Sequence, residues 1–498
     1  MHRPVLIAAA LAVILLLPIT TSAYEVRTFR EPVRDITLAP ESVAPIGFQW
    51  GYVKVGAPEP CLTPEQRTRI RKQLEQSRAQ LRAAGKLSAP DRSAAVTFRW
   101  PLEGMASMGF HDEGYHGISN FVDQDPTTGL LDYQCGQRTY DGHQGTDFFL
   151  WPFAWYKKNH RHVRVVAPAD GVVLFKRGLQ PDTSCVNDGF SSWNAVYLEH
   201  ADGSVTWSGH LRKGGITLAA VGDTVHAGER LGWVGSSGSS TGPHLHLEVY
   251  DPDGNLVDPY AGSCNSLNAN TWWTQQQPYY DSGINAVMTH SAAPVFPPCP
   301  QEEILNEQTE FPAVHPMVWT AAYYRDQLDT QTSTYTIRRP DGTVYTSWNH
   351  TPSGAPHYAA AEWLWVHDLG ASPPIGVWTF EVTYLGQTYT QPFGVGTSAV
   401  DAPLAAASTV SLANRPNPVR RATDIVFRLP AAGRARLAIY DVGGRRVRTV
   451  LDAVRPSGPG AVTWDGRDED GSTVPAGVYF YRLESGATAR TQKMTVVR

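Results

Sequence analysis

The sequence predicts a mainly β fold: an antiparallel β-sheet core followed by two β-sandwich (Ig-like) domains, with a short N-terminal helical segment. Three observations carry this expectation. The 498 residues hold 44 Gly and 37 Pro but only 18% charged residues, a composition that suits β modules joined by turns. Short alternating runs recur from Thr97 onward, bounded by Asp-Gly and Gly-Gly turns. One segment alone has convincing helical punctuation, from Pro64 to about Ala84. There Thr63 is the N-cap, Pro64 suits the first position, Gln66 completes a capping box and Gly85 stands at C′. Ile70, Leu74 and Leu81 give that helix one narrow apolar stripe, which reads as packing on a neighbouring domain.

The chain is too long for one core, so roughly three to five folding units are expected. Residues 1–23 read as a secretory signal: His2 and Arg3, an apolar run from Val5 to Ile19, then small residues at Thr21-Ser22-Ala23. The run is shorter than a bilayer span and no basic stop-transfer cluster follows. No later stretch predicts a transmembrane segment. A net charge of −5 with no long basic run argues against nucleic acid as a partner. Export makes oxidation of some of the five cysteines expected. None lies in a CxxC pair, the odd count leaves one thiol over, and Cys185 with Cys264 is the expected pairing.

Along the chain, residues 24–96 form an N-terminal segment with one helix (63–85). Residues 97–262 form the first β domain. Within it Val163 to Phe175 reads as a hairpin about Ala169-Asp170-Gly171, and Ala195–Leu198 with Ser204–Trp207 as another about Ala201-Asp202-Gly203. Ser236 to Gly242 reads as a flexible polar loop. Residues 263–309 read as a linker packed on the core, 310–396 as one β-sandwich, 397–414 as a second linker, and 415–498 as a further sandwich.

Chemistry concentrates in two fragments, Gly142-His143-Gln144-Gly145-Thr146-Asp147 and Gly242-Pro243-His244-Leu245-His246-Leu247-Glu248. Imidazole and carboxylate suit zinc, and catalytic zinc keeps three protein ligands with a fourth position open. An HxxxD piece and an HxH piece supply three ligands with a histidine to spare. On a strand His244, His246 and Glu248 share one face while Leu245, Leu247 and Val249 point to the core. His111, His116, His160, His162 and His200 read as surface or core imidazoles. Glu248 reads either as an anchor behind the site or as a strand glutamate bonded to backbone or Arg.

These motifs resemble the lysostaphin-type zinc endopeptidases that cut peptidoglycan cross-links. The resemblance covers roughly residues 97 to 262. Its motifs stand at His143 to Asp147, Ala167 to Val173, Gly209-His210-Leu211, Gly222 to Gly228 and Gly235 to His246. It implies an antiparallel β-sheet metallopeptidase core in which His143, Asp147 and His246 bind Zn2+ and His210 and His244 are the paired catalytic imidazoles. It also implies a peptidoglycan peptide substrate and a secreted, periplasmic or cell-surface location. Two departures bear on substrate choice: an aromatic and basic insertion at 148–162 (Trp151, Phe153, Trp155, Lys157, Lys158), and Trp193-Asn194 in place of Gly-Asn. The alternatives are a non-catalytic wall-binding or adhesion protein on the same fold, and a peptidase of extracellular proteins.

The C-terminal segment carries a second resemblance. Asn417-Pro418, Tyr440 to Gly444, Trp464-Asp465-Gly466 and Gly477 to Tyr481 are similar to the Ig-like module related to the flagellar hook-capping protein. They also resemble type IX secretion sorting domains, which end in a strand such as Lys493 to Val497. This implies secretion or cell-surface attachment machinery as a partner. Read from the residues alone, the segment is a β-sandwich spacer.

Overall fold

The computed structural model describes residues 46–52 (backbone), 61–105, 113–186, 192–397 and 411–497, the last range without 416–418, 420–421, 430–432, 456–457 and 487. The expected signal at 1–23, His111, Asn417-Pro418 and most of the 397–414 linker lie outside the described residues. The architecture is mainly β, an antiparallel core followed by two sandwiches.

The core domain stacks two sheets. The larger runs, in spatial order, 116–120, 146–150, 244–250, 205–209, 195–199, 171–177 and 224–225, with 256–257 beside 244–250. The smaller runs 230–233, 163–166, 102–104. Alternation decides what lies between them: Leu245, Leu247 and Val249 are fully buried with Phe148, Val165 and Leu231, as period-two patterning requires. The opposite face of the large sheet carries Tyr197, Trp207 and Tyr250. Helix α1, Pro64–Ala83, covers it with Leu74 and Leu81, and Ile70 packs alongside. Both halves of the Thr63–Gln66 capping box are formed, and Gly85 follows at φ 68°, the left-handed C′ position.

The strands 195–199 and 205–209 form the expected hairpin, with Tyr197 opposite Trp207. Val163 to Phe175 is not a hairpin. Its two strands, 163–166 and 171–177, belong to different sheets, because the turn at Ala169–Gly171 carries the chain across the core. The Ser/Gly loop is also not a loose surface loop. Ser236, Ser237, Ser239 and Ser240 are buried, with Ser236 Oγ bonded to the Ser184 carbonyl and Ser237 Oγ to that of Leu211.

The 263–309 linker contains a strand, 283–290, at one edge of the first sandwich. The opposite edge of the same sheet is strand 46–52 from the N-terminal segment, paired with 357–368. Edge pairing with a distant segment leaves no local periodicity to read. The second sandwich packs 411–415, 423–429 and 458–464 on 446–455, 433–441, 477–485 and 488–496, around Trp464, Leu437 and Met494.

The expected Cys185–Cys264 pairing is wrong. Cys264 bonds Cys135 and Cys185 bonds Cys299, since the segment after 262 folds back over the core. Cys61 is left free and buried.

Candidate metal centre

One row of the large sheet positions the site. Asp147 is the antiparallel partner of His246; Gly209 flanks His246 and Asn120 flanks Asp147. Residues opposite one another share a face, so the pleat sets carboxylate and imidazole side by side. His143 reaches them from the loop before strand 146–150. His246 Nδ1 lies 2.8 Å from Asp147 Oδ1 and 3.2 Å from His143 Nε2, which is 3.2 Å from Asp147 Oδ2. Zinc ligands at about 2.0–2.1 Å in a tetrahedron stand roughly 3.3 Å apart. The spacing fits the ion. Gly145 keeps it so, because a Cβ there would lie 2.6 Å from His246 Nε2.

Hydrogen bonds set the tautomers. Carbonyl and carboxylate oxygens accept only, so with a metal at the point shared by His143, Asp147 and His246 the protons would sit on the ring nitrogens turned away from it. His143 Nδ1 donates to the Phe121 carbonyl (2.7 Å) and His246 Nε2 to Glu248 Oε1 (2.8 Å). The remaining nitrogens, His143 Nε2 and His246 Nδ1, present lone pairs to one point, as ligating histidines with outer partners do. His210 Nδ1 donates to the Ser237 carbonyl (2.6 Å) and His244 Nδ1 to the Gly242 carbonyl (2.8 Å). Their rings lie 4.3 Å apart, and His244 Nε2 is 3.6 Å from Asp147 Oδ1. His210 Nε2 is buried without a hydrogen-bond partner among the described residues. Burial, then His244 and His246, push the His210 pKa well below 6.5, so the ring is neutral. Its backbone sits at φ 58°, a conformation uncommon outside glycine and tolerated where surroundings enforce it.

Glu248 is both of the things its sequence position allowed. It accepts from His246 and pairs with Arg67 of α1 at 2.5 Å, and Tyr250 Oη donates to it at 2.6 Å. Burial raises the carboxyl's pKa, but Arg67 and His246 outweigh that and hold it near 2. Arg67, Asn120 and Cys61 were not singled out in the sequence. Asn120 donates to Asp147 Oδ2 at 2.7 Å. Only the odd cysteine count hinted at any of the three.

The other histidines stay apart. His116 packs at a tilt against Trp100, His200 bonds the Asp170 carbonyl and Thr206, and His160 pairs with Glu302. Trp193 packs edge-on to His210 and stands beside His246. In the insertion, Phe153 is core, stacked on Phe296 and against Tyr323. Trp151 packs beside it, Trp155 is buried under the Lys158 ammonium, and both line a cleft of about 290 Å³ that runs to Asp147 and His244. Lys157 and Lys158 are buried, Lys158 against Asp182 at 3.2 Å, so neither lines the cleft.

A β-sheet core with a buried His/Asp donor set beside two tautomer-fixed imidazoles is the architecture of a metallopeptidase. The chain carries a peptidase M23 domain: residues 142–259 match Peptidase family M23, and residues 422–488 match the FlgD Ig-like domain. It is 40% identical over 85 residues to a "DD-carboxypeptidase/endopeptidase Mpg" of Neisseria meningitidis serogroup B, covering 17% of this chain and 16% of that protein. It is 32% identical over 120 residues to an "uncharacterized metalloprotease" of Haemophilus influenzae, covering 24% and 20%. The chain therefore spans a small part of these relatives' length. Among solved structures, the catalytic domain of the M23 protein EnpA of Enterococcus faecalis is 26% identical, covering 31% of this chain and 95% of that one at a TM-score of 0.20. The lysostaphin catalytic domain of Staphylococcus simulans is 25% identical, covering 32% and 96% at a TM-score of 0.17.

Proposed function

We propose that the protein is an exported zinc-dependent endopeptidase that hydrolyses peptide bonds in peptidoglycan stems or cross-bridges. The observation that carries this is the convergence of His143 Nε2, Asp147 and His246 Nδ1 beside the buried His210 Nε2, which has no partner among the described residues. His143, Asp147 and His246 would hold the ion. Bound there, zinc supplies Lewis acidity and lowers the pKa of water to about 7. His244 lines the cleft and His210 packs against it, their rings 4.3 Å apart, so either, with Nε2 unprotonated, would take a proton from the attacking water. As imidazolium it then steadies the oxyanion or returns the proton to the leaving amine. Trp151 and Trp155 offer flat apolar faces along the cleft. Similarity to a relative named DD-carboxypeptidase/endopeptidase supports a peptidoglycan substrate.

Two disulfides support an oxidising destination, secreted, periplasmic or at the cell surface. No helix among the described residues is long and apolar enough to cross a membrane. The C-terminal sandwich, with its FlgD-like match, is a module for secretion or surface-attachment machinery.

The test is metal analysis joined to mass spectrometry of digested peptidoglycan. Stoichiometric zinc and new peptide amino termini, both lost on chelation, are expected. Asp147→Ala should lose zinc while keeping a β-sheet circular dichroism spectrum. Full zinc occupancy in Asp147→Ala, or intact peptidoglycan with the zinc-loaded chain, overturns the reading.

A further inference from the structure

The cleft that reaches His244 is lined by two carboxylates, Asp147 and Glu303, and by no lysine or arginine among the described residues. Asp147 belongs to the proposed donor set, so the ion would answer its charge. Glu303 is left. It lies outside residues 142–259, which match the peptidase family, in the segment whose sequence reads as a linker. Only 9% of it is exposed, and no cation pairs with it among the described residues. Burial raises its pKa, and its charged neighbour Glu302 has the same sign. The Trp155 amide donates to Glu303 Oε1 at 3.1 Å and the Tyr156 amide to Oε2 at 2.8 Å. Acceptance by both oxygens favours the charged form, and each oxygen keeps a further lone pair.

The carboxylate is held in place from several sides. Cys299 is disulfide-bonded to Cys185, and Phe296 stacks on Phe153 at 5.5 Å. Glu302 bonds Asn159 and His160 at the far end of the short helix Ala154–Asn159. Strand 146–150 sets the distance from the proposed metal ligands. At about 3.3 Å per residue, Leu150 lies roughly 10 Å along the strand from Asp147, and the helix that meets Glu303 begins four residues further on. Leu150, Trp151 and Ala154 make the wall on the way apolar. A cleft of this form suits an aliphatic stem that ends in a cation, since the stem covers apolar surface and the cation makes a charge-assisted hydrogen bond out of water.

We propose that Glu303 is the specificity-determining residue of this cleft and receives the side-chain ammonium of a lysine-like residue in the substrate peptide. The proposal rests on the peptidase reading above and adds which residue of the peptide is recognised. A peptide amino terminus has no stem to span the apolar wall, which leaves the side chain as the source of the ammonium.

Calorimetric titration of the full chain, with zinc removed by chelation so that nothing is hydrolysed, tests this by a readout other than activity. A lysine tripeptide blocked at both ends should bind at least tenfold more tightly than its Nε-acetylated form. It should exceed by a similar factor the Nε-acetylated peptide with a free amino terminus. In Glu303→Gln the preference should shrink to within about twofold; the comparison of peptides on the wild-type chain needs no variant and stands even if that variant fails to fold. With zinc restored, acetylating the amines of soluble peptidoglycan peptides should raise KM at least tenfold and move kcat far less. Equal or undetectable binding of the lysine and acetyl-lysine peptides, an amino-terminal ammonium bound as tightly as the side chain's, or an undiminished preference in folded Glu303→Gln overturns the proposal and leaves the peptidase reading standing. The expected preference in a zinc-loaded chain that hydrolyses none of these peptides overturns the peptidase reading and leaves Glu303 as an ammonium site.

Discussion

Asp147 and His246 stand directly opposite each other in antiparallel register, Oδ1 to Nδ1 at 2.8 Å. The pairing makes the donor spacing a property of the sheet rather than of a loop. A one-residue slip would turn His246 into the core and Leu247 to the site. With Leu245, Leu247 and Val249 fully buried between the sheets, that slip is strongly disfavoured.

The paired imidazoles of His210 and His244 should be separable from the donors. His210→Ala and His244→Ala are expected to retain zinc and to lose about 10²–10⁴-fold in turnover, the usual worth of general acid–base help. Metal analysis and initial rates check this. Parent-level hydrolysis by either variant would remove its catalytic role.

Arg67 and Glu248 should couple fold to metal. Glu248→Gln leaves the Arg67 guanidinium buried and unpaired, which costs about 3–5 kcal/mol. The weaker acceptor behind His246 should reduce zinc affinity about 10–100-fold. Arg67→Met combined with Glu248→Gln should recover much of the stability but not the affinity. Thermal melts and competition with a zinc chelator separate the two effects, and parent-level affinity in the double variant would show that Glu248 supports only the helix.

Trp151 packs on the Phe153 cluster, Trp155 is buried, and both line the cleft. Trp151→Ala/Trp155→Ala should therefore lower Tm, as large-to-small core changes do, and raise KM severalfold well below that Tm. An unchanged KM would confine the pair to packing.

Glu362 predicts a pH dependence far from the metal. It sits between Trp50 and Tyr323 on the sandwich sheet, and its Oε1 has no partner among the described residues. Burial lifts its pKa from 4.5 to about 8. Between those values the folded chain holds a proton that the unfolded chain has released, so stability falls as pH rises through that window. At about 1.4 kcal/mol per unit, the loss is on the order of a few kcal/mol. Glu362→Gln should flatten Tm against pH from 5 to 8. An identical slope in the variant would assign the dependence to other groups.

Much of the donor geometry was legible beforehand. The period-two strand put His244, His246 and Glu248 on one face, and the capping box set the start of α1, because both are rules of local spacing. The Val163–Phe175 segment misled because a turn signal does not say which sheet each arm joins. The strand at 283–290 was read as linker because its partners lie at 317–328, beyond any local pattern.

The sequence by itself determined the donor types, their spacing on the strands, the β class and the helix that opens at Thr63. Tertiary structure alone decided that Cys264 bonds Cys135, that Arg67 serves Glu248, and that Cys61 faces His246 across 185 residues. The physical reason is the same in each case. Periodicity and capping act over a few residues, whereas these partners meet only because the N-terminal and post-core segments fold back over a sheet whose register is set by burial.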